Sequence, residues 1–188
     1  DLKKLKMNTS EKENKCYAIN LLSGPGVGKG ILASDIFSAL KRKGITCEIS
    51  SEYIKRKIRE QASKVIQNQI YIFGKQQFQL FSMKDNVEDI VTDSPIILSA
   101  IYDPSNCAEL KALILKEFGK YNNLNYFIER DLTVPYEQEG RNQDLEGYKK
   151  IDSMTRDFMD LHGIQYSIIN GIGETSLNTI IKDITALL

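Results

Sequence analysis

The sequence predicts an α/β fold in which a five-stranded parallel sheet lies between two layers of helices. Strand-like and helix-like segments alternate along the 188 residues, and this alternation is typical of parallel strands joined by crossover helices. A glycine-rich turn links the first strand-like run to the first helix-like run. The length suits one domain, residues 1–188, with its own hydrophobic core.

Short runs rich in β-branched and aromatic residues predict the strands. The five runs are 16–22, 45–50, 88–92, 124–128 and 165–169. Apolar residues at helical spacing predict helices between them, at Gly28–Lys43, Tyr53–Val65, 68–83, Asp103 to about Gly119, Tyr148–Leu161 and from about Ser176.

Local signals mark several helix ends and faces. Gly44 suits a left-handed cap at the end of the first helix. Asp103 and Pro104 resemble an N-cap followed by a first-turn proline. In the helix 68–83, we expect the apolar residues Ile70, Phe73 and Phe81 to share one side.

Two segments lack regular structure in this prediction. The stretch 130–144 is polar, shows no clear periodicity and contains a proline and a glycine, so we expect a short lid loop. Residues 1–14 are expected to form a flexible N-terminal segment.

Charge and composition argue against several classes of protein. Twenty-five basic residues balance twenty-five acidic ones, which disfavours attachment to nucleic acid or membrane through bulk charge. No apolar run approaches the roughly 20 residues of a membrane helix. The cysteines Cys16, Cys47 and Cys107 form no CxxC pair, so we expect free thiols in a reducing cytoplasm.

The segment GPGVGKG, residues 24–30, follows the first strand and opens the first helix. Glycines there allow a tight turn whose N–H groups surround an anion, while the helix dipole and Lys29 add positive charge. We predict a phosphate-binding loop formed by Ser23, Gly24, Pro25, Gly26, Val27, Gly28, Lys29, Gly30 and Ile31. The alternative, a turn that binds nothing, is disfavoured by the flanking strand, helix and lysine.

The loop departs from the P-loop pattern GxxxxGK[ST] at two positions. Ser23 replaces the first glycine, and Gly30 replaces the hydroxyl residue that binds magnesium. The loop is similar to that of adenylate kinases, which also has glycine after the lysine; there a hydroxyl residue follows, whereas here Ile31 does. Mg²⁺ would then be held by nucleotide oxygens, by water and by an acidic residue elsewhere.

Asp93 is the predicted acidic residue. It follows the strand 88–92, which Ser94-Pro95 ends, and the carboxyl ends of parallel strands line the ligand crevice. We expect Asp93 to face the phosphates. There it would bind Mg²⁺ through water or accept a proton from the hydroxyl group that receives the phosphoryl group, the acceptor hydroxyl. The alternative is that Asp93 only caps the next helix.

Three further charged residues are candidates for catalysis. Glu52 follows the second strand, where a carboxylate binds or deprotonates an acceptor hydroxyl, unless it only favours a helix N-terminus. Arg130 and Arg141 lie in the stretch 130–144. Arginines on a closing loop neutralise the transferring phosphoryl group, and Arg141 is the preferred lid arginine.

Substrate binding has its own candidates: Glu52, Tyr53, Gln69, Gln76 and Tyr136. The two glutamines lie in a helix rich in glutamine and aromatic residues, which could read a base; the alternative is an amphipathic helix packing its aromatic side chains in the core. The basic run 53–60 is either a solvated face or a contact to a nucleic-acid backbone.

Taken together, these motifs resemble a family of small P-loop ATPases and kinases that includes the ribosylnicotinamide kinases. The chain is more similar still to short AAA-type ATP-binding proteins common in bacteriophages. The matching elements are GPGVGKG, Glu52-Tyr53, QIYIFGKQ, VTDSP and PYEQEGR.

The resemblance implies a nucleoside-kinase-like P-loop NTPase that uses ATP and Mg²⁺ to phosphorylate a hydroxyl. The acceptor is left open between a free nucleoside or nucleotide and a hydroxymethylated pyrimidine in phage DNA, which would have to be extruded or single-stranded. The rival is a nucleotide-gated switch without a phosphoryl acceptor. No membrane partner is expected, a homodimer is left open, and the location would be the cytoplasm, of the host cell for a phage protein.

Overall fold

The computed structural model describes residues 16–51, 63–130 and 145–187. The predicted N-terminal segment 1–14 and all but the first residue of the predicted lid 130–144 therefore lie outside the described residues, as does most of the helix expected at Tyr53–Val65. Within the described ranges, no helix combines the length and the apolar character needed to cross a bilayer.

Five parallel strands form one sheet, as the sequence predicts. They are β1 (Tyr17–Leu22), β2 (Cys47–Ser50), β3 (Asp89–Thr92), β4 (Asn122–Glu129) and β5 (Ser167–Asn170). Their order is β2-β3-β1-β4-β5, and each adjacent pair is parallel. Strand β1 is central, with the chain passing to one side of it for β2 and β3 and to the other for β4 and β5. A ligand crevice is expected at the carboxyl ends of the strands where the order reverses in this way.

Seven helices are present among the described residues: α1 (Lys29–Arg42), α2 (Ser63–Gln67), α3 (Gln69–Met83), α4 (Leu98–Tyr102), α5 (Ala108–Phe118), α6 (Leu145–Leu161) and α7 (Glu174–Thr185). Asn68 separates α2 from α3, and its side chain accepts a hydrogen bond from the N–H of Tyr71. The short helix α4 was not predicted, because the apolar segment that forms it has no helical spacing longer than one turn.

The hydrophobic core has two parts, one on each face of the sheet. On one face, Ile19 and Leu21 of β1 pack with side chains of α1 and α7, including Leu32 and Ile180. On the other face, residues of β1, β3 and β4 pack with α3, α5 and α6: Leu22, Ile90, Phe127, Phe73, Ile114 and Phe158. Successive strand residues point to opposite faces, so burial on both faces gives three layers and confirms the predicted α/β/α architecture.

The predicted helix start at Asp103-Pro104 is wrong. Helix α5 begins at Ala108 and its N-cap is Cys107. The Asp103 carboxylate instead accepts hydrogen bonds from the N–H groups of Ser105 and Cys107 at 3.1 and 2.8 Å. The side chain thus closes a local turn, which competes with capping for the same type of residue.

The three apolar residues expected to share one side of α3 differ in burial. Phe73 is buried, but Ile70 and Phe81 are 67% and 53% exposed. The buried positions are Gln69, Ile72, Phe73, Gln76 and Leu80. This stripe includes two glutamines, so hydrophobicity alone does not identify the face that packs on the sheet.

Candidate functional site

The glycine-rich loop connects the end of β1 at Leu22 to the start of α1 at Lys29. Gly26 and Gly28 have φ angles of 90° and 92°, in the left-handed region that only glycine occupies without strain. The N–H groups of Ile31 and Leu32 bond to the carbonyl of Gly28, so the helix begins directly at the loop. The positive end of a 14-residue helix therefore lies at the loop.

Close packing also requires glycine in the loop. A Cβ atom on Gly28 would lie 2.6 Å from Cδ1 of Ile172, in the turn after β5. A Cβ atom on Gly24 would lie 2.9 Å from the Tyr148 carbonyl oxygen and 3.1 Å from Nη2 of Arg130. The loop is thus enclosed by the β5–α7 turn on one side and by α6 on another.

Lys29 folds back over the start of the loop. Its Nζ atom donates to the carbonyl oxygens of Ser23 and Gly24, each at 2.8 Å. The ammonium group consequently lies beside the peptide groups that an incoming phosphate chain would approach.

Asp152, on α6, binds the loop from outside. Its Oδ1 atom accepts hydrogen bonds from Ser23 Oγ at 2.9 Å and from the Gly24 N–H at 2.5 Å. Its Oδ2 atom accepts one from Nε of Arg130 at 2.9 Å. Nη2 of Arg130 in turn donates to the Pro25 carbonyl at 2.7 Å.

Of the two arginines predicted to lie in the lid, Arg130 and Arg141, only Arg130 is among the described residues. Its guanidinium lies 3.6 Å above the ring of Tyr148, and its side chain is only 10% exposed. The structure therefore places Arg130 against the glycine-rich loop, between the loop and α6.

Sequence reasoning missed Asp152 and the stacking role of Tyr148. One sequence signal was available, because Asp152 lies at helical spacing among the inward residues Tyr148, Ile151 and Thr155, all of them buried. A carboxylate at an inward position of an amphipathic helix needs a polar or cationic partner. The identity of that partner was not readable from the sequence.

Asp93 lies directly after β3, at the carboxyl edge of the sheet, and is 7% exposed. It is not the N-cap of α4, since that position is Ile97. The neighbouring Ser94 is held in a buried network: Nε2 of Gln76 donates to Ser94 Oγ at 2.6 Å, and the Ser94 N–H bonds to Thr92 Oγ1 at 3.1 Å. The network fixes the chain at the point where Asp93 leaves the strand.

Gln69 and Gln76, predicted to contact substrate, lie on the buried side of α3 and are 6% and 3% exposed. The Gln76 amide is engaged within the protein by Ser94. The other predicted site residues, Glu52, Tyr53, Tyr136 and Arg141, lie outside the described residues.

The residues at the loop fit a nucleotide phosphate chain, because two left-handed glycines, a helix N-terminus and a lysine converge there. For Mg²⁺ they offer little direct ligation. Gly30 has no side chain, Ile31 is apolar and 61% exposed, and the nearby Ser34 hydroxyl donates to the Gly30 carbonyl at 2.8 Å. Among the described residues, no three His, Cys, Asp or Glu side chains form a cluster that would hold a metal ion. Mg²⁺ would have to be held mainly by phosphate oxygens and water, since it commonly keeps several waters; Asp93, directly after β3 at the carboxyl edge of the sheet, is the predicted carboxylate.

Comparison with solved structures supports the fold. A deoxyadenosine kinase from M. mycoides, determined with the products dCMP and a flexible dCDP bound, aligns with a TM-score of 0.51 over 91% of this chain and 100% of that one, at 16% sequence identity. At this identity the likeness establishes the fold alone, a parallel α/β sheet with helices on both faces like that of the deoxyadenosine kinase. No protein-family profile and no curated protein matches the chain.

Proposed function

We propose that the protein is an ATP-dependent kinase that transfers the γ-phosphate to a hydroxyl group of a nucleoside or nucleotide. The observation that carries the proposal is the loop between β1 and α1, where left-handed Gly26 and Gly28, the helix N-terminus and Lys29 converge. Its position at the carboxyl edge of a nucleoside-kinase fold supports the same conclusion.

In this proposal, each group of described residues has a separate role. Residues Ser23 to Ile31 bind the phosphates through backbone N–H groups, and Lys29 moves its ammonium from the loop carbonyls to the β- and γ-phosphates. Asp93 orients the magnesium water shell or the attacking hydroxyl. Arg130 and, outside the described residues, Glu52 and Arg141 are proposed to act on the transferring group and the acceptor.

A small nucleoside or nucleotide is the acceptor class we favour. The structural neighbour carries deoxycytidine nucleotides as products, and the balanced charge of this chain offers no bulk attraction to DNA. A hydroxymethylated pyrimidine within DNA is the alternative acceptor, and the basic run 53–60 is the feature that favours it.

The test follows the γ-phosphate. The protein is incubated with γ-labelled ATP and Mg²⁺ and is offered free nucleosides, ordinary DNA or DNA containing hydroxymethylated pyrimidines. Label on a free nucleoside supports the favoured acceptor class, whereas label on DNA alone would replace it. A Lys29→Ala variant should lose at least about 100-fold in transfer rate, while Lys41→Ala, an exposed lysine on the same helix, should retain it.

A nucleotide-gated switch is the second candidate function. The exposed, apolar Ile31 favours it, because no hydroxyl group follows Lys29 to bind Mg²⁺. Label appearing only as inorganic phosphate, with every acceptor present, would make this function the better one.

A homodimer is also part of the proposal. Helix α3 exposes Ile70, Phe78 and Phe81, and Phe81 lines a surface groove with Leu113 of α5, which is 46% exposed. Large apolar side chains grouped on a surface mark sites of protein association. Sedimentation analysis should show a dimer that Ile70→Ser with Phe78→Ser dissociates; a wild-type monomer at every concentration would exclude it.

A further inference from the structure

We propose that Asp152 is the positioning residue of the phosphate loop, and that its carboxylate fixes the peptide groups on which Lys29 lies. The inference rests on the proposed phosphate-binding function of the loop. Among the described residues, three donors converge on this carboxylate: the Gly24 N–H, the Ser23 hydroxyl and Nε of Arg130.

The three donors require a carboxylate. An ionised carboxylate accepts through both oxygens and donates nothing, so one oxygen serves the loop and the other serves the guanidinium. An asparagine at position 152 would keep one accepting oxygen, but its NH₂ group would face a donor. In one orientation the NH₂ group opposes Nε of Arg130, and in the other it opposes the Gly24 N–H.

Lys29 binds the same stretch of chain as Asp152, but through the backbone carbonyl groups instead of the N–H. Asp152 binds the N–H of Gly24, and the Lys29 ammonium binds the carbonyl oxygens of Ser23 and Gly24. If Asp152 no longer fixes these peptide groups, they can rotate, and the resting position of the Lys29 ammonium changes with them. The loop then binds a phosphate chain less tightly because it must first be reordered.

The surroundings leave little room for another arrangement. Arg130 is sandwiched between the Asp152 carboxylate, the Pro25 carbonyl and the ring of Tyr148. Gly24 approaches α6 so closely that even a Cβ atom would lie 3.3 Å from Asp152 Oδ1. Two residues of α6, Tyr148 and Asp152, therefore form one rigid support for the start of the loop.

The experiment measures dissociation constants of Mg·ATP and of Mg·tripolyphosphate for wild-type protein, Asp152→Asn and Asp157→Asn. Asp157 lies on the exposed side of the same helix, so its variant is a matched acid-to-amide control. We expect Asp152→Asn to weaken both ligands by about tenfold, the cost of one lost charged hydrogen bond, and Asp157→Asn to leave both unchanged. An equal loss for the two ligands places the effect at the phosphates rather than at the base or sugar. A thermal unfolding midpoint of Asp152→Asn well above the assay temperature distinguishes this effect from unfolding, which would also weaken both ligands equally.

Unchanged dissociation constants in Asp152→Asn, with tight binding by the wild type, would overturn the inference and leave the proposed function standing. Wild-type protein that binds neither ligand would overturn both. If Asp152→Asn does not fold, Ser23→Ala removes one donor to the same carboxylate and is expected to weaken both ligands by about threefold; unchanged affinity in that variant would also overturn the inference.

Discussion

At the carboxyl edge of the sheet, Asp152 accepts hydrogen bonds from three donors, whereas at the amino edge Asp89 has no hydrogen-bond partner for either carboxylate oxygen among the described residues. Asp89 is the first residue of β3 and lies in register with Tyr17 and Cys47. It is fully buried, while the Asp152 side chain keeps 17% exposure. The more buried of the two carboxylates, that of Asp89, is thus the one with fewer hydrogen bonds among the described residues.

The difference shows that burial of a charged group does not by itself identify a functional site. Burial raises the pKa of Asp89 to about 6, with a smaller contribution from the nearby Glu88 carboxylate. Parallel sheets bind ligands at the carboxyl ends of their strands, where polar side chains converge with partners. At the amino end, a buried carboxylate mainly lowers stability.

The largest expected effect is the difference in stability loss between glycine-to-alanine substitutions at the two edges of the sheet. Gly28→Ala should destabilise the protein by about 3 kcal/mol, combining left-handed strain with overpacking against Ile172. Gly44, at the amino edge, also has a positive φ of 81°, but a Cβ atom there would meet nothing within 4 Å. Gly44→Ala should therefore cost only about 1 kcal/mol, from strain alone.

Chemical denaturation of both variants measures the difference. Gly74→Ala is the control, since position 74 is helical and its Cβ would enter open space; it should stabilise by about 0.5–1 kcal/mol. Equal destabilisation by Gly28→Ala and Gly44→Ala would show that the loop is not packed as described.

A slightly smaller effect concerns Asp89. The pKa of Asp89 is raised in the folded protein. Its contribution to the free energy of unfolding is therefore complete below about pH 3.8 and is lost as the pH rises through about 6. Asp89→Asn should match wild type near pH 4 and exceed it by about 2–3 kcal/mol at pH 8.

The measurement is the difference in unfolding free energy between the two proteins from pH 4 to 8. Asp157→Asn, at an exposed carboxylate, supplies the control and should show a difference within about 0.5 kcal/mol at every pH. A pH-independent difference for Asp89→Asn would mean that Asp89 is already ionised or already partnered in the folded protein.

The smallest of the three effects tests whether Gln76 is structural. Gln76→Leu removes its hydrogen bond to Ser94 inside the buried network beside Asp93, and should cost about 1–3 kcal/mol. Gln77→Leu, at a half-buried position on the same helix, should change stability by less than about 1 kcal/mol.

Calorimetric melting and the KM values for ATP and acceptor distinguish the two roles of Gln76. If Gln76→Leu loses stability while its KM for the acceptor is unchanged, Gln76 supports the chain around Asp93. A raised acceptor KM without loss of stability would instead favour the predicted contact to substrate.

Much of the fold was readable from the sequence because its signals are local. The alternation of strands and helices, the glycine cap at Gly44 and the order strand, glycine turn, helix around residues 17–42 each depend on neighbouring residues. The predictions failed where two local signals compete. Asp103 can cap a helix or close a turn, and the apolar residues of α3 are distributed over both of its sides.

The sequence by itself determined the glycine-rich loop, because the positive φ angles of Gly26 and Gly28 and the helix that begins at Lys29 follow from residues within one short segment. Only the tertiary structure decided what supports that loop. Asp152 lies 128 positions from Gly24, and it reaches the loop because β1 and β4 pair in the sheet and α6 packs across them. Contacts over such separations depend on strand order and helix packing, which are set by the summed burial of the whole core rather than by any local pattern.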